Sequence, residues 1–117
     1  MTEIRIIKKP ITRVELKKIA EKGFGDMVKA VVDVEQEIMA VGGELHADME
    51  TLLMENENSL RKDTWGINLY LENFEEDFVE FDSMINLKPA LGNKTRNVED
   101  KKTREKIKEI VNKLIIK

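Results

Sequence analysis

The stretch Gly42-Gly43-Glu44-Leu45-His46-Ala47-Asp48-Met49-Glu50-Thr51-Leu52-Leu53-Met54 decides how the chain folds. Read at a period of two, Leu45, Ala47 and Met49 face one way, and His46, Asp48 and Glu50 the other, as on a strand. Read at the helical period, Leu45, Met49, Leu52 and Leu53 fall at i, i+4, i+7 and i+8. Periodicity alone leaves both readings open. Gly42-Gly43 suggests a bulge or a sharp bend. The expectation adopted for residues 44–54 is therefore a bent continuation of the strand before them.

Upstream, Ile38-Met39-Ala40-Val41 is continuously apolar, as on a strand covered on both faces. Met27 to Val34 reads as its hairpin partner. There Val28, Ala30, Val32 and Val34 share one side, and Lys29, Asp33 and Glu35 share the other with Val31. Further back, Thr12-Arg13-Val14-Glu15 is a capping box with Ile11 and Leu16 at the staple positions, so a helix starts there. Gly23 is its expected left-handed stop. The Ile-rich residues 3–8 read as a short strand ended by Pro10.

Downstream, residues 55–63 read as a polar loop. Trp65, Ile67, Leu69 and Leu71 alternate with Gly66, Asn68 and Tyr70 as a strand, and Asn73–Asp77 form an acidic turn. Phe78 to Leu87 gives the longest strand signal. After a loop over 88–97, a helix starts near Asp100, and Ile107, Ile110, Val111, Leu114 and Ile115 form its apolar stripe. The order β–α–β–β–(β)–β–β–α predicts an α+β fold: an antiparallel meander of four to five strands with two helices on one face. The opposite sheet face then carries much of the chain's polar chemistry, including His46, Asp48, Glu50, Asn68, Asp82 and Asn86.

With 117 residues the chain is expected to form a single domain, residues 1–117. An apolar fraction of 41% and a charged fraction of 37% predict a folded, soluble protein. No apolar run reaches membrane-span length, and the first residues lack signal-peptide anatomy, so a cytoplasmic home is expected. Lys and Glu enrichment with no Cys also fits a thermophile. Charge is segregated. Residues 1–29 carry 8 basic and 4 acidic side chains, residues 30–85 carry 2 and 15, and residues 86–117 carry 10 and 4. Either the basic ends neutralise the acidic middle on folding, or the two faces serve different partners.

No Cys and one His, His46, remove thiolate chemistry and any His-pair metal site within one chain. Gly23-Phe24-Gly25 lacks the third glycine of a dinucleotide loop and follows a helix where it should precede one. Gly92-Asn93-Lys94-Thr95 lacks both glycine positions of a phosphate loop. Lys88, Lys94 and Arg96 still place three cations on one loop ahead of a helix, a candidate anion site. Neither Ser59 nor Ser83 sits in a nucleophile elbow. His46, Asp48 and Glu50 are the candidate metal ligands, since hard divalent ions take such N/O donors. On a strand they converge only if it bends. The plainer reading is a surface His whose charge the nearby carboxylates favour. Trp65 reads as core, or as a stacking platform with Gly66 allowing close approach. The acidic sheet and a pI near 5.3 make nucleic acid an unlikely partner.

Pro10-Ile11-Thr12, Gly42 to Asp48, Trp65-Gly66-Ile67-Asn68, Phe81 to Pro89, Gly92-Asn93 and Val98-Glu99-Asp100 resemble a family of short bacterial and archaeal proteins catalogued only as a domain of unknown function. The resemblance covers nearly the whole chain and implies no activity. Where this chain has Glu55-Asn56-Glu57-Asn58-Ser59, relatives look like Glu-Asp-Gly-Ser, which implies a hairpin there and so favours a strand over 44–54. The expected function is a non-enzymatic binding or regulatory module acting through the polar, acidic sheet face, on a protein partner or on a second copy of itself. The alternative is a small metal-dependent hydrolase using His46, Asp48 and Glu50. No cofactor is required by the sequence, and a divalent metal is compatible with it.

Overall fold

In the computed structural model, which describes residues 3–74 and 77–117, the Ile-rich start forms β1 (Arg5–Ile7). A two-residue strand, β2 (Ile11–Thr12), leads directly into α1 (Arg13–Glu21). Thr12 caps this helix as expected, its hydroxyl accepting from the Glu15 amide at 3.1 Å. The reciprocal half of the box does not form, because the Glu15 carboxylate turns to Arg5 at 3.3 Å. Gly23 is not the left-handed stop. Lys22 ends the helix in the right-handed region, and the positive φ falls at Gly25.

The expected hairpin is β3 (Met27–Asp33) with β4 (Ile38–Val41), paired antiparallel with Val31 opposite Ala40. Asp33 was placed on an outward face, yet it is 1% exposed. Its carboxylate accepts from the Glu35 and Gln36 amides at 2.9 and 3.0 Å and from Ser59 Oγ at 2.6 Å. It therefore organises the turn and ties it to the segment after α2.

Residues 46–57 are a helix, α2 (His46–Glu57), and the strand expected over 44–54 is overturned. Met49, Glu50 and Leu53 are buried at helical spacing, while Leu45 is 56% exposed. Ala, Leu, Met and Glu fill the segment, which lacks Gly and Pro, so intrinsic propensity sides with the helix. Gly42 supplies the bend ahead of it at φ +93°, where a Cβ would meet the Glu3 carbonyl oxygen at 2.8 Å. Asn58 ends the helix in the left-handed conformation, its amide bonded to the Leu53 carbonyl. The loop that implied a hairpin is thus a helix terminus.

The strand at Trp65 is β5 (Thr64–Tyr70), followed by the short β6 (Val79–Glu80). Five strands form one antiparallel sheet in the order β1-β4-β3-β5-β6. β4 and β5 flank β3, and α2 makes the crossover between them. The long strand expected over Phe78–Leu87 shrinks to β6, with 3-10 turns at Met84–Asn86 and Pro89–Leu91. The acidic turn Asn73–Asp77 lies in part outside the described residues.

Asp100 caps the last helix, α3 (Lys101–Leu114), accepting from the Thr103 amide at 2.9 Å. Ile115 leaves the stripe to begin β7 (Ile115–Ile116), which pairs in parallel with β2. Two helices do lie on one face. Leu16 and Ala20 of α1 and Ile107, Ile110 and Leu114 of α3 pack on Val32, Met39, Trp65 and Ile67. The other face is not open, however: Met49 and Leu53 of α2 cover Val31 and Ala40.

Candidate functional site

β5 has β3 along one edge, and its other edge meets β6 only at Asn68 and Leu69. Its remaining backbone groups need partners, because an unpaired buried amide or carbonyl is costly. Asn86 supplies two. Its side chain accepts from the Gly66 amide at 2.8 Å and donates to the Gly66 carbonyl at 2.9 Å, as a neighbouring strand would. His46 supplies another, with Nε2 2.8 Å from the Ile67 carbonyl. Gly66 is required there, since an added Cβ would lie 2.5 Å from Ser83 and 3.1 Å from the His46 ring. The close approach foreseen at Gly66 is thus made by the chain itself, and Trp65 is core at 6% exposure. The candidate-site residue Asn86 is fully buried and structural.

The proposed metal ligands separate. On α2, Asp48 is exposed to solvent, and Glu50 turns inward to Thr64 Oγ1 (2.6 Å), Arg61 (3.1 Å) and Lys88 (3.8 Å). His46 faces β5. Among the described residues, no group of three or more His, Cys, Asp or Glu side chains is placed to hold a metal ion. On the helix Asp48 turns away from the other two; His46 and Glu50, four apart, share a face but are held by different partners, the Ile67 carbonyl and Thr64 with Arg61.

The anion loop is also corrected. Lys88 is 5% exposed and points inward, donating to the Ile85 carbonyl at 2.9 Å beneath Trp65. Arg96 is paired with Asp82 at 2.7 Å. The Lys94 and Thr95 amides do bind an anion, but it is the chain's own Glu99 carboxylate, at 2.6 and 3.0 Å. Those amides hold Glu99 below its ordinary pKa. Burial, with Arg61 nearby, pushes Lys88 down to about 8.

What the fold brings together is a polar row across three adjacent strands, beside the start of α2. Lys29, Asn68 and Glu80 are lateral neighbours on β3, β5 and β6. Asn68 Nδ2 donates to Glu80 at 2.8 Å and to the Asp82 carbonyl at 3.3 Å. The Tyr70 hydroxyl also donates to Glu80, at 3.2 Å. Asn68 is 6% exposed, and its buried Oδ1 accepts no well-formed hydrogen bond; its polar neighbour is the His46 ring, which can donate to it only when charged. Flipping the amide would not help, because it would set that oxygen against the Glu80 carboxylate. Lys29 lies 5.2 Å from the Phe24 ring centroid and has no carboxylate partner among the described residues.

His46 borders this row. A carbonyl only accepts, so the neutral imidazole carries its proton on Nε2 and leaves Nδ1 as an acceptor. Its pKa lies below the ordinary 6.5, chiefly from burial and also from Lys29, against opposing effects of the Ile67 carbonyl, Asn68 and Asp82. The expected carboxylate effect is present, from Asp82, but burial outweighs it. Of the polar residues expected on one face, His46, Asn68 and Asp82 do gather, and Asp48, Glu50 and Asn86 do not. Lys29, Tyr70 and Glu80, which complete the row, alternate on the strands read from sequence, but nothing there singled them out as a site.

The fold and this row define a small α+β domain with a sheet wrapped by three helices and one polar end. The chain belongs to the DUF5674 family, a family of unknown function, whose model matches residues 5–114. No curated protein and no solved structure matches the chain. No helix among the described residues is long and apolar enough to cross a membrane.

Proposed function

We propose that the protein is a binding module that holds a small polar molecule over Lys29, His46, Asn68 and Glu80. One observation carries the reading: Asn68 Oδ1 is buried and, while the neighbouring His46 ring is neutral, has no donor. An unmet buried acceptor costs about 1–3 kcal/mol, and such costs are characteristically kept at functional sites. The exposed Glu80 and half-buried Lys29 side chains lie beside it, and a ligand would have to displace them to reach the oxygen. The site is this narrow, mixed-charge row and not an open acidic face.

The test is Asn68→Leu. Leu removes the orphan acceptor at similar volume but also the Nδ2 bonds to Glu80 and the Asp82 carbonyl, so the variant is expected to stay folded within about 1–2 kcal/mol of the parent. In amide NMR spectra, a panel of amino acids, amines, carboxylates, sugars and nucleosides is added to each protein. At least one class is expected to shift Lys29, Gly66–Asn68 and Glu80–Ser83 in the parent and not in the variant. If no class shifts the parent, the reading fails.

A further inference from the structure

The row has an order that selects among polar ligands. This step rests on the binding reading above and names the ligand class. Going across three adjacent strands, the groups are a cation (Lys29), a neutral acceptor (Asn68 Oδ1) and an anion (Glu80). The cation lacks an ion-pair partner among the described residues. The acceptor lacks a donor as long as the His46 ring beside it is neutral. Glu80, an exposed residue on the last strand of the sheet, already serves two donors through one oxygen, Oε1, from Asn68 and Tyr70. A simple amine would satisfy Asn68 and Glu80 but would leave Lys29 as a like charge one strand away. A simple carboxylate would satisfy Lys29 but would bring no donor to Asn68.

We infer that the site takes a zwitterion, a free α-amino acid, with its carboxylate on Lys29 and its ammonium on Asn68 Oδ1 and Glu80. An ammonium and a carboxylate on one carbon match side chains one interstrand spacing apart, roughly 4.8 Å. His46 fits this pose: its neutral ring offers Nδ1 as a further acceptor and adds no cation beside the ammonium. Asp82, held by Arg96, contributes negative charge on the ammonium side.

The experiment titrates three probes into the full-length protein under amide NMR: L-alanine, ethylamine and propionate. Alanine is expected to bind at least about tenfold more tightly than either single-charge probe, the equivalent of one further charge-assisted hydrogen bond. Lys29→Gln keeps the strand and removes the cation. It is expected to weaken alanine about tenfold and to leave ethylamine unchanged. If ethylamine binds as well as alanine in the parent, or if Lys29→Gln leaves alanine binding intact, the zwitterion assignment is overturned while the binding reading stands. If none of the three moves the row but another class in the wider panel does, the assignment again fails alone.

Discussion

His46 and Lys88 are each held in the fold with a pKa below the ordinary value, and the sign of the consequence is the same for both. In each case the unfolded chain binds a proton more readily than the folded one, so stability rises with pH across the interval between the two values. For His46 that interval lies below 6.5. The neutral ring's contribution is complete above 6.5 and is lost as the pH falls. Urea midpoints measured from pH 7.5 to pH 5 are expected to decline in the parent and to decline less in His46→Gln. For Lys88 the interval runs from about 8 up to 10.5. Stability is expected to rise across it, and Lys88→Met is expected to abolish that rise. Because Glu50 keeps Arg61 and Thr64 as partners, Lys88→Met is also expected to match or exceed the parent's stability at pH 7.

At the scale of elements, the edge of β5 is the sensitive joint. Gly66→Ala drives a methyl group into Ser83, and the lost stability is expected to be about 2 kcal/mol. Ser83→Gly in the same chain opens that space, so the double variant is expected to be more stable than the sum of the two single changes predicts, as read from a double-mutant cycle. This joint also shows what could be read from sequence and what could not. Elements that bury one continuous stripe, such as α3 and the hairpin β3–β4, announce themselves through Ile107-Ile110-Val111-Leu114 and through Ile38–Val41. α2 does not, because its short run satisfies both periods; what separates them is its helix-favouring composition and Asn58, a residue suited to the left-handed helix stop. Residues 82–99 failed for a different reason. Their structure comes from side chains acting as backbone: Asn86 pairs with Gly66, and Asn93 donates to the carbonyls of Asn86, Thr95 and Asn97. Such bonds leave no periodic trace. The candidate site was half legible, since His46, Asn68 and Asp82 were named, but a row across three strands requires the pairing register.

At the scale of the whole molecule, the segregated charge resolves mainly as neutralisation. Lys8 meets Glu57, Lys106 and Lys113 meet Glu37, and Arg96 meets Asp82, each joining a basic end to the acidic middle. These exposed pairs are worth little individually, so the fold depends more on how its extremities pack. β7 holds Ile115 at 7% exposure beside β2. Removing residues 115–117 is expected to cost about 2 kcal/mol or more through the lost apolar contact, seen as a lower urea midpoint with the remaining sheet intact.

That same pairing sets a schedule for birth. Ile11 is matched with Ile115, so a chain leaving the ribosome makes its first helix long before the strand and helix that will cover it exist. At ordinary translation rates the interval is roughly 5–20 s. Leu16 and Ala20 can settle on Val32, Met39 and Ile67 as the sheet forms, but the core surface that Ile107, Ile110 and Leu114 will cover stays bare to chaperone or protease until the end.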